Sequence, residues 1–257
     1  MLVVPGEPHR NLQSALNFVR RAADAGADII LLPEALPFGW TDPSARDHAT
    51  SIPSGEACAL LSSAARDCKI FVCAGLIEKS GSQLFNSAVL FDPTGELLLH
   101  YRKIHELDIA HDLYSPGDRL SVADTSLGRI GVMICADAFV PGQVISRTLG
   151  LMGAQMILSP CAWAGPPEHD NQRTPYGQLW LDNYVPVCRD FGLWIVGCSN
   201  VGLIRSGPWS GHRCIGSSLV VNPDGITKLR GPFGDSAEEL LFVDVDLRPV
   251  ARAGGHR

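Results

Sequence analysis

The sequence predicts a layered α/β fold, because stretches with the period of a helix alternate with short apolar runs that are typical of buried strands. Two turn sequences between apolar runs predict β-hairpins, which add antiparallel pairing. The length of 257 residues suits one large α/β domain, and no linker, repeat or low-complexity block divides the chain. We therefore predict a single domain over residues 1–257, with a Gly- and Arg-rich tail at 248–257 that is loose or in dimer contact.

Each element is assigned from its own hydrophobic period. Apolar residues three or four apart predict a helix, and unbroken or alternating apolar runs predict a strand. In chain order, the predicted elements are helix 12–23, strand 28–33, helix 56–66, strand 70–74, strand 86–92, strand 96–103, strand 129–134, helix 143–152, strand 155–159, helix 178–189, strand 193–198, strand 216–221 and strand 240–246. Hairpin turns are predicted at 93–95 and 222–225, where Pro, Asn, Asp and Gly cluster.

Composition and charge exclude several classes of protein. Lys and Arg number 21 against 27 Asp and Glu, so the clustered cations that nucleic-acid phosphates require are lacking, and no nucleic-acid partner is expected. The longest apolar runs fall well below the roughly 20 residues of a membrane helix, so no membrane association is expected. The N-terminus has no secretory pattern, and the eight cysteines are expected to be reduced thiols. We therefore expect a cytoplasmic protein.

No motif for a cofactor or a metal is found. No Gly-x-Gly-x-x-Gly follows a predicted strand and no phosphate-binding loop occurs, so no nucleotide cofactor is expected. No Cys-x-x-Cys pair supports a structural zinc site. His105 and His111, with Asp108 and Asp112, imitate a metal cluster, but such mixed loops are usually solvated. We expect neither a metal nor a cofactor.

Three polar residues stand at the ends of predicted apolar strands. Glu34 follows strand 28–33, Lys103 ends the second strand of the first hairpin, and Cys135 follows strand 129–134. Each alone has an ordinary explanation: the first exposed residue after a strand, a solvated edge lysine, or a buried apolar cysteine. Strand ends are, however, where α/β folds place ligand contacts, and a thiol near free backbone N–H groups can favour the thiolate.

Together these segments resemble the nitrilase superfamily of carbon–nitrogen hydrolases. That family carries Glu in a Leu-Pro-Glu context, Lys in a Tyr-Arg-Lys-x-His context and Cys in an Ile-Cys-x-Asp context, here represented by Glu34, Lys103 and Cys135 in the same order. The resemblance spans about residues 11–247. It implies an αββα sandwich of the nitrilase type, which forms four layers, αββα-αββα, on dimerisation. It also implies a homodimer or a higher homo-oligomer.

The resemblance implies hydrolysis of a non-peptide carbon–nitrogen bond in a small linear amide or N-carbamoyl compound. Cys135 would attack to give a thioester and release ammonia or an amine, Glu34 would act as the base, and Lys103 would stabilise the oxyanion. An amidase is favoured over a true nitrilase on the resemblance alone. A catalytically weak or inactive binding or scaffold protein with the same fold is the competing hypothesis.

The pocket residues are predicted by the same resemblance. In relatives, residues after the strand at 155–159 line the substrate pocket, which here indicates Cys161, Ala162 and Trp163. Packing in the core is an equally open explanation for Trp163. The polar, proline-containing stretch at 166–176 is interpreted as a lid or a dimer loop.

Two departures from the family pattern stand out. Relatives carry a second glutamate seven positions after the lysine, where this chain has Ala110. Glu106, Asp108, His111 or Asp112 could take over its positioning role, with Glu106 the first choice and a solvated loop the alternative for it. The family also begins with a strand before the segment that corresponds to 4–6, so that strand is missing, lies upstream, or is replaced by residues 1–4.

Overall fold

A computed structural model describes residues 1–247. The helices are α1 (Pro8–Asp24), α2 (Ala45–His48), α3 (Glu56–Cys68), α4 (Val144–Leu151) and α5 (Gln178–Phe191). The strands are β1 (Ile29–Leu31), β2 (Phe71–Ser80), β3 (Gln83–Phe91), β4 (Leu97–Arg102), β5 (Val122–Thr125), β6 (Gly128–Val132), β7 (Met156–Cys161), β8 (Ala164–Gly165), β9 (Trp194–Ser199), β10 (Val201–Leu203), β11 (Arg213–Ile215), β12 (Leu219–Val221) and β13 (Thr227–Arg230). Short 3₁₀ turns lie at Asp108–Ala110, Cys135–Phe139 and Pro141–Gln143.

The strands form two main sheets. One has four strands in the order β1-β2-β3-β4, in which β1 and β2 are parallel and the other pairs are antiparallel. The other has six strands in the order β13-β12-β9-β7-β6-β5, with β6, β7 and β9 parallel. The two predicted hairpins are confirmed as β3–β4 and β12–β13. The sequence did not predict β5 or the small sheet β10-β11-β8.

The layers follow from alternation of side chains along the strands. Met156 and Leu158 of β7 point into the core between the sheets, whereas Ile157 packs on the opposite face. Helices α1 and α3 cover the outer face of the four-stranded sheet, and α4 and α5 cover that of the six-stranded sheet. The core between the sheets includes Phe71, Leu90, Tyr101, Ile130, Val132, Leu158 and Trp194. The described chain is therefore an αββα sandwich, which confirms the predicted fold class.

Two sequence-based expectations differ from the structure. Residues 240–246 are not a strand, although Val243 and Val245 pack against the core between the sheets. An apolar cavity of about 180 Å³ is lined by this segment and by β1, and within residues 1–247 no strand pairs with the outer edge of β1. Residues 1–4 do not take that place, because Leu2 bridges to Val201, the first residue of β10. Apolar alternation here indicated burial, but a strand also needs a neighbouring backbone.

The predicted tail at 248–257 lies outside the described residues, and the single-domain organisation of the whole chain stays a prediction. Within residues 1–247, no helix is both long enough and apolar enough to cross a membrane.

Candidate active site

Glu34 is held at the carboxyl end of β1 by backbone contacts on both sides. Its N–H donates to the carbonyl oxygen of Cys161 at 3.2 Å, and the N–H of Gly75 donates to the carbonyl oxygen of Pro33 at 3.1 Å. A Cβ atom at position 75 would lie 2.5 Å from the Cα of Glu34, so the close approach of β2 requires glycine. The side chain of Glu34 is 1% exposed. Its interpretation as the first exposed residue after a strand is therefore wrong.

Lys103 is fixed just beyond β4 in the same way. Its N–H donates to the carbonyl oxygen of Asn86 at 2.8 Å, and its own carbonyl oxygen accepts from the N–H of Gly117 at 2.7 Å. A Cβ atom at position 117 would overlap the carbonyl oxygen of Arg102, which explains the glycine there. The Lys103 side chain is fully buried, so the alternative of a solvated edge lysine is wrong.

The buried ends of Glu34, Lys103 and Glu106 converge. The ammonium nitrogen of Lys103 lies 2.8 Å from Oε1 of Glu34 and 3.3 Å from Oε2 of Glu106. The amide nitrogen of Asn86 donates to the same Oε1 of Glu34 at 2.6 Å. Burying a charge costs free energy unless the charge is paired. The pairing of these buried charges therefore indicates a specific electrostatic site.

Glu106, and not position 110, supplies the second carboxylate beside Lys103. Ala110 ends a 3₁₀ turn and packs into an apolar cluster with Tyr114, whereas the carboxyl group of Glu106 points at the lysine. The alternative of a solvated loop for Glu106 is wrong, since its side chain is 1% exposed. Asp108 and His111 are exposed instead.

Burial and neighbouring charges shift the ionisation of this cluster. Burial raises the pKa of Glu106 to about 7, although the Lys103 ammonium opposes that shift. Burial acts to lower the pKa of Lys103, but the negative charges of Glu106 and Glu34 outweigh it, and the pKa lies well above its usual value. Lys103 therefore stays a cation at neutral pH, whereas Glu106 titrates there.

Cys135 stands at a sharp turn directly after β6. It begins a 3₁₀ turn with φ of 43°, a left-handed conformation that a side chain other than glycine rarely adopts and that clusters at functional sites. Its side chain is partly exposed. Burial raises its pKa well above the usual value, and Cys161 and Glu34 add to the shift while Lys103 opposes it. The thiol form is therefore favoured over the thiolate, and a base is needed to remove its proton.

Asp137 joins the segment that carries Cys135 to the segment that carries Lys103. Its fully buried carboxylate accepts from the Tyr101 hydroxyl at 2.7 Å, from the Ile134 N–H at 2.8 Å and from the His105 N–H at 2.9 Å. These three donors come from both sides of the site, so one side chain fixes the relative position of the two segments.

The predicted pocket residues lie in different surroundings. Cys161 is fully buried, and its thiol donates to the carbonyl oxygen of Ser159 at 3.2 Å. Ala162 is buried in the same apolar cluster as Ala110. Trp163 is 1% exposed and stacks on Trp180 with ring centroids 4.5 Å apart, which is the packing of a core residue.

An aromatic wall extends from this core toward Cys135. We use this name for Phe139, Trp163, Tyr176 and Trp180, whose rings contact one another in sequence at centroid distances of 4.5–6.3 Å. Phe139 belongs to the 3₁₀ turn that begins at Cys135, and Tyr176 packs against the same apolar cluster as Cys135. The segment at 166–176, predicted as a lid or a dimer loop, thus ends in a residue beside the site.

The chemistry of the cluster is that of a thiol with acid–base and electrostatic partners. Within residues 1–247, no three His, Cys, Asp or Glu side chains converge as metal ligands. A carboxylate and an ammonium group lie in contact, and both charges act on the thiol of Cys135. Such a set can deprotonate a nucleophile, attack a carbonyl carbon and stabilise the oxygen that becomes negative.

Sequence reasoning missed Asn86 and the structural role of Asp137. Asn86 lies in the predicted strand opposite the one that ends at Lys103, but the predicted turn gives the wrong register there by one residue. Asp137 lies in the quoted cysteine motif, but nothing in the sequence indicates that its partners are the Tyr101 hydroxyl and the His105 N–H.

Comparison with known proteins places these features in a family. The family model described as carbon-nitrogen hydrolase matches residues 4–253. A nitrilase of Pyrococcus abyssi (strain GE5 / Orsay) is 31% identical over 94% of this chain and 85% of its own length. An omega-amidase of Xenopus laevis is 35% identical over 94% of this chain and 84% of its own length.

Solved structures share the fold. The crystal structure of a carbon-nitrogen hydrolase from Helicobacter pylori G27 matches with a TM-score of 0.79 and 24% identity, over 90% of this chain and 83% of that chain. The amidase from Nesterenkonia sp. AN1, in complex with butyramide, matches with a TM-score of 0.74 and 23% identity, over 91% of this chain and 85% of that chain. At these identities the similarity supports the shared αββα architecture.

Proposed function

Since the chain belongs to the carbon–nitrogen hydrolase family, the nitrilase superfamily it resembles, we propose that it hydrolyses a linear amide or N-carbamoyl compound through a thioester on Cys135. Glu34 takes the thiol proton as the sulfur attacks the carbonyl carbon. Lys103 stabilises the negative oxygen of the tetrahedral intermediate, which typically contributes roughly 3–4 kcal/mol. Ammonia or an amine leaves with the proton, and water, deprotonated by Glu34, hydrolyses the thioester.

The observation that carries this proposal is the buried contact of 2.8 Å between Lys103 and Glu34, with both charges acting on Cys135. A structural ion pair would not need a strained, partly exposed cysteine beside it. The raised pKa of Cys135 also fits this role, because a protonated thiol requires the base that Glu34 supplies.

Glu106 acts in this proposal as a positioning residue. Its carboxyl group contacts Lys103 from the other side of the ammonium and keeps the cation aimed at the oxyanion position. The ion pair supports this role in place of the glutamate that relatives carry at the position of Ala110. The competing hypothesis of an inactive binding protein drew its support from Ala110, and a replacement at Glu106 weakens it.

The charges of the site favour a substrate with a neutral acyl group. An acidic acyl group needs a cation, and Lys103 is already paired with two carboxylates. The similar Nesterenkonia amidase was solved with acrylamide and with butyramide. We propose short apolar amides as the first substrates to test, ahead of amides that carry a carboxylate.

The test is ammonia release from a panel of butyramide, acrylamide, an aryl acetamide, a succinamic acid, a ureido acid and a nitrile. We expect turnover of the neutral amides, loss of turnover in Cys135→Ala, and normal turnover in Cys198→Ala, a matched change at another partly exposed cysteine. Release from nitriles alone would indicate a true nitrilase. No release from any compound would favour the binding protein.

We propose that two copies pair through the helical face formed by α4 and α5. Three large apolar side chains are exposed there: Val144 at 53%, Leu151 at 78% and Leu179 at 51%. Covering these side chains would recover hydrophobic free energy. Sedimentation of the wild type and of Leu151→Glu tests this, with a dimer expected for the first and a monomer for the second. A wild-type monomer would refute the pairing.

A further inference from the structure

A second thiol lies beside Cys135. Strands β6 and β7 run parallel with Val132 level with Leu158, and continuing this register by three residues brings Cys135 level with Cys161. Cys135 also packs against the apolar cluster that contains Cys161. Neighbouring strands lie about 4.8 Å apart, which is within the roughly 4.4–6.8 Å between Cα atoms that a disulfide spans. The topology therefore places the two cysteines next to each other, at the carboxyl ends of neighbouring strands.

The two thiols differ in their access to solvent. Cys161 is fully buried and donates to the carbonyl oxygen of Ser159 at 3.2 Å, whereas Cys135 is partly exposed. A dissolved oxidant reaches Cys135 first. Cys161 then lies where a resolving thiol must lie, next to the oxidised sulfur and shielded from the oxidant.

We infer that Cys135 and Cys161 form a reversible disulfide when the protein meets a peroxide. Glu34 accepts the proton of Cys135, and the sulfur attacks one peroxide oxygen. The S–O bond forms, the O–O bond breaks, and the released hydroxide takes the proton back from Glu34 to become water. The sulfur is thereby oxidised by two electrons to a sulfenic acid, and the peroxide is reduced.

The second step uses only the neighbouring residue. The sulfur of Cys161 attacks the sulfenic sulfur of Cys135, the S–S bond forms and the S–O bond breaks. The leaving hydroxide takes the proton of Cys161 and becomes water. This disulfide blocks the nucleophile of the proposed function and protects it from further oxidation until a thiol reduces it. Only the loss of activity rests on the proposed function, since the bond itself needs two adjacent thiols.

The experiment exposes the reduced protein to a slight excess of hydrogen peroxide, alkylates the remaining thiols and digests with trypsin without reductant. Cleavage after Arg129, Arg147 and Arg173 gives peptides 130–147 and 148–173, each of which contains one of the two cysteines and no other. We expect these two peptides to be linked, and an intact mass lower by two hydrogen atoms. Amide hydrolysis should be lost and then restored by dithiothreitol.

Three variants serve as controls. Cys161→Ser and Cys161→Ala remove the resolving thiol, so peroxide should carry Cys135 to the sulfinic acid, with a mass higher by two oxygen atoms that dithiothreitol does not reverse. Cys198→Ser should behave like the wild type. The inference is overturned if the wild type reaches the sulfinic acid as fast as the Cys161 variants, without linked peptides. If the peptides link but the reduced protein hydrolyses no amide, the disulfide stands and the proposed function fails.

Discussion

The carboxylate of Asp137 accepts a hydrogen bond from the hydroxyl of Tyr101 at 2.7 Å, although Tyr101 lies in the four-stranded sheet and Asp137 lies in the turn that follows β6 of the six-stranded sheet. Tyr101 lies in β4, two residues before Lys103, and Asp137 lies two residues after Cys135. The contact therefore links the proposed nucleophile to the proposed oxyanion-stabilising cation through one buried side chain. Both groups depend on it for their relative position.

Replacing Asp137 tests this link. In Asp137→Asn, an amide N–H₂ group replaces one carboxylate oxygen and faces hydrogen-bond donors, which thereby lose their charged acceptor. We expect the free energy of unfolding to fall by about 2–3 kcal/mol and the activity to fall as well. Urea unfolding measures the first and ammonia release the second. Asp118→Asn, at an exposed carboxylate, is the matched control and should change neither. Unchanged stability in Asp137→Asn would show that the hydrogen bond between Asp137 and Tyr101 does not stabilise the fold.

Lys103→Met tests the oxyanion role. The change keeps most of the buried side-chain volume but removes the cation, so we expect kcat to fall by roughly 100- to 1000-fold with a small change in KM. Steady-state kinetics on butyramide measures both constants. Lys79→Met is the matched control. The ammonium group of Lys79 donates to the carbonyl oxygen of Arg46, so its removal should leave kcat unchanged. A kcat within ten-fold of the wild type in Lys103→Met would refute the role.

The raised pKa of Glu106 predicts that the free energy of unfolding depends on pH. Burial raises its pKa to about 7, from an ordinary value of 4.5. Between these values the unfolded chain releases the proton while the folded protein keeps it, so the free energy of unfolding falls as pH rises through this window. The loss amounts to roughly 3 kcal/mol. Urea unfolding at pH 5 and pH 7 should show a larger fall for the wild type than for Glu106→Gln, and equal falls would contradict the burial of an ionisable Glu106.

Asn86 is predicted to position Glu34. Its amide donates to Oε1 of Glu34 at 2.6 Å, so Asn86→Leu should leave the carboxylate less well placed and lower kcat by about ten-fold while KM changes little. The rate is expressed per reactive Cys135 thiol, which separates a positioning loss from a loss of folded protein. Asn183→Leu, on α5, is the control. A rate per thiol equal to that of the wild type would mean that Asn86 is only structural.

The positions of Glu34, Lys103 and Cys135 at strand ends could be predicted from local apolar patterns and motifs. Their partners could not. Counting from the turn at 93–95 would place Asn86 opposite Arg102, but an irregularity between Leu90 and Phe91 shifts the register by one residue and brings Asn86 opposite Lys103. A bulge of this kind leaves no mark in the hydrophobic period.

The helices and the buried strands were predicted better than the pairing at the edges of the sheets. Helices and buried strands follow from apolar periods that one chain segment carries by itself, as in α1 and β7. Strand pairing at the edge of a sheet depends on which other chain segment lies next to the edge strand. Residues 240–246 have the alternation of a strand but face the cavity beside β1, and residues 1–4 pair next to β10 instead. Glu106 was chosen on its residue type, and only the fold brings it to Lys103.

The central claim is that the Cys135 sulfur carries the acyl group during turnover. Intact-mass spectrometry of the protein, quenched in acid within turnover of butyramide, tests it most directly. We predict a species heavier by one butyryl group in the wild type and in Cys198→Ala, located on peptide 130–147, and no such species in Cys135→Ala. Ammonia release by Cys135→Ala at the wild-type rate, or a butyryl group on another residue, would contradict the account.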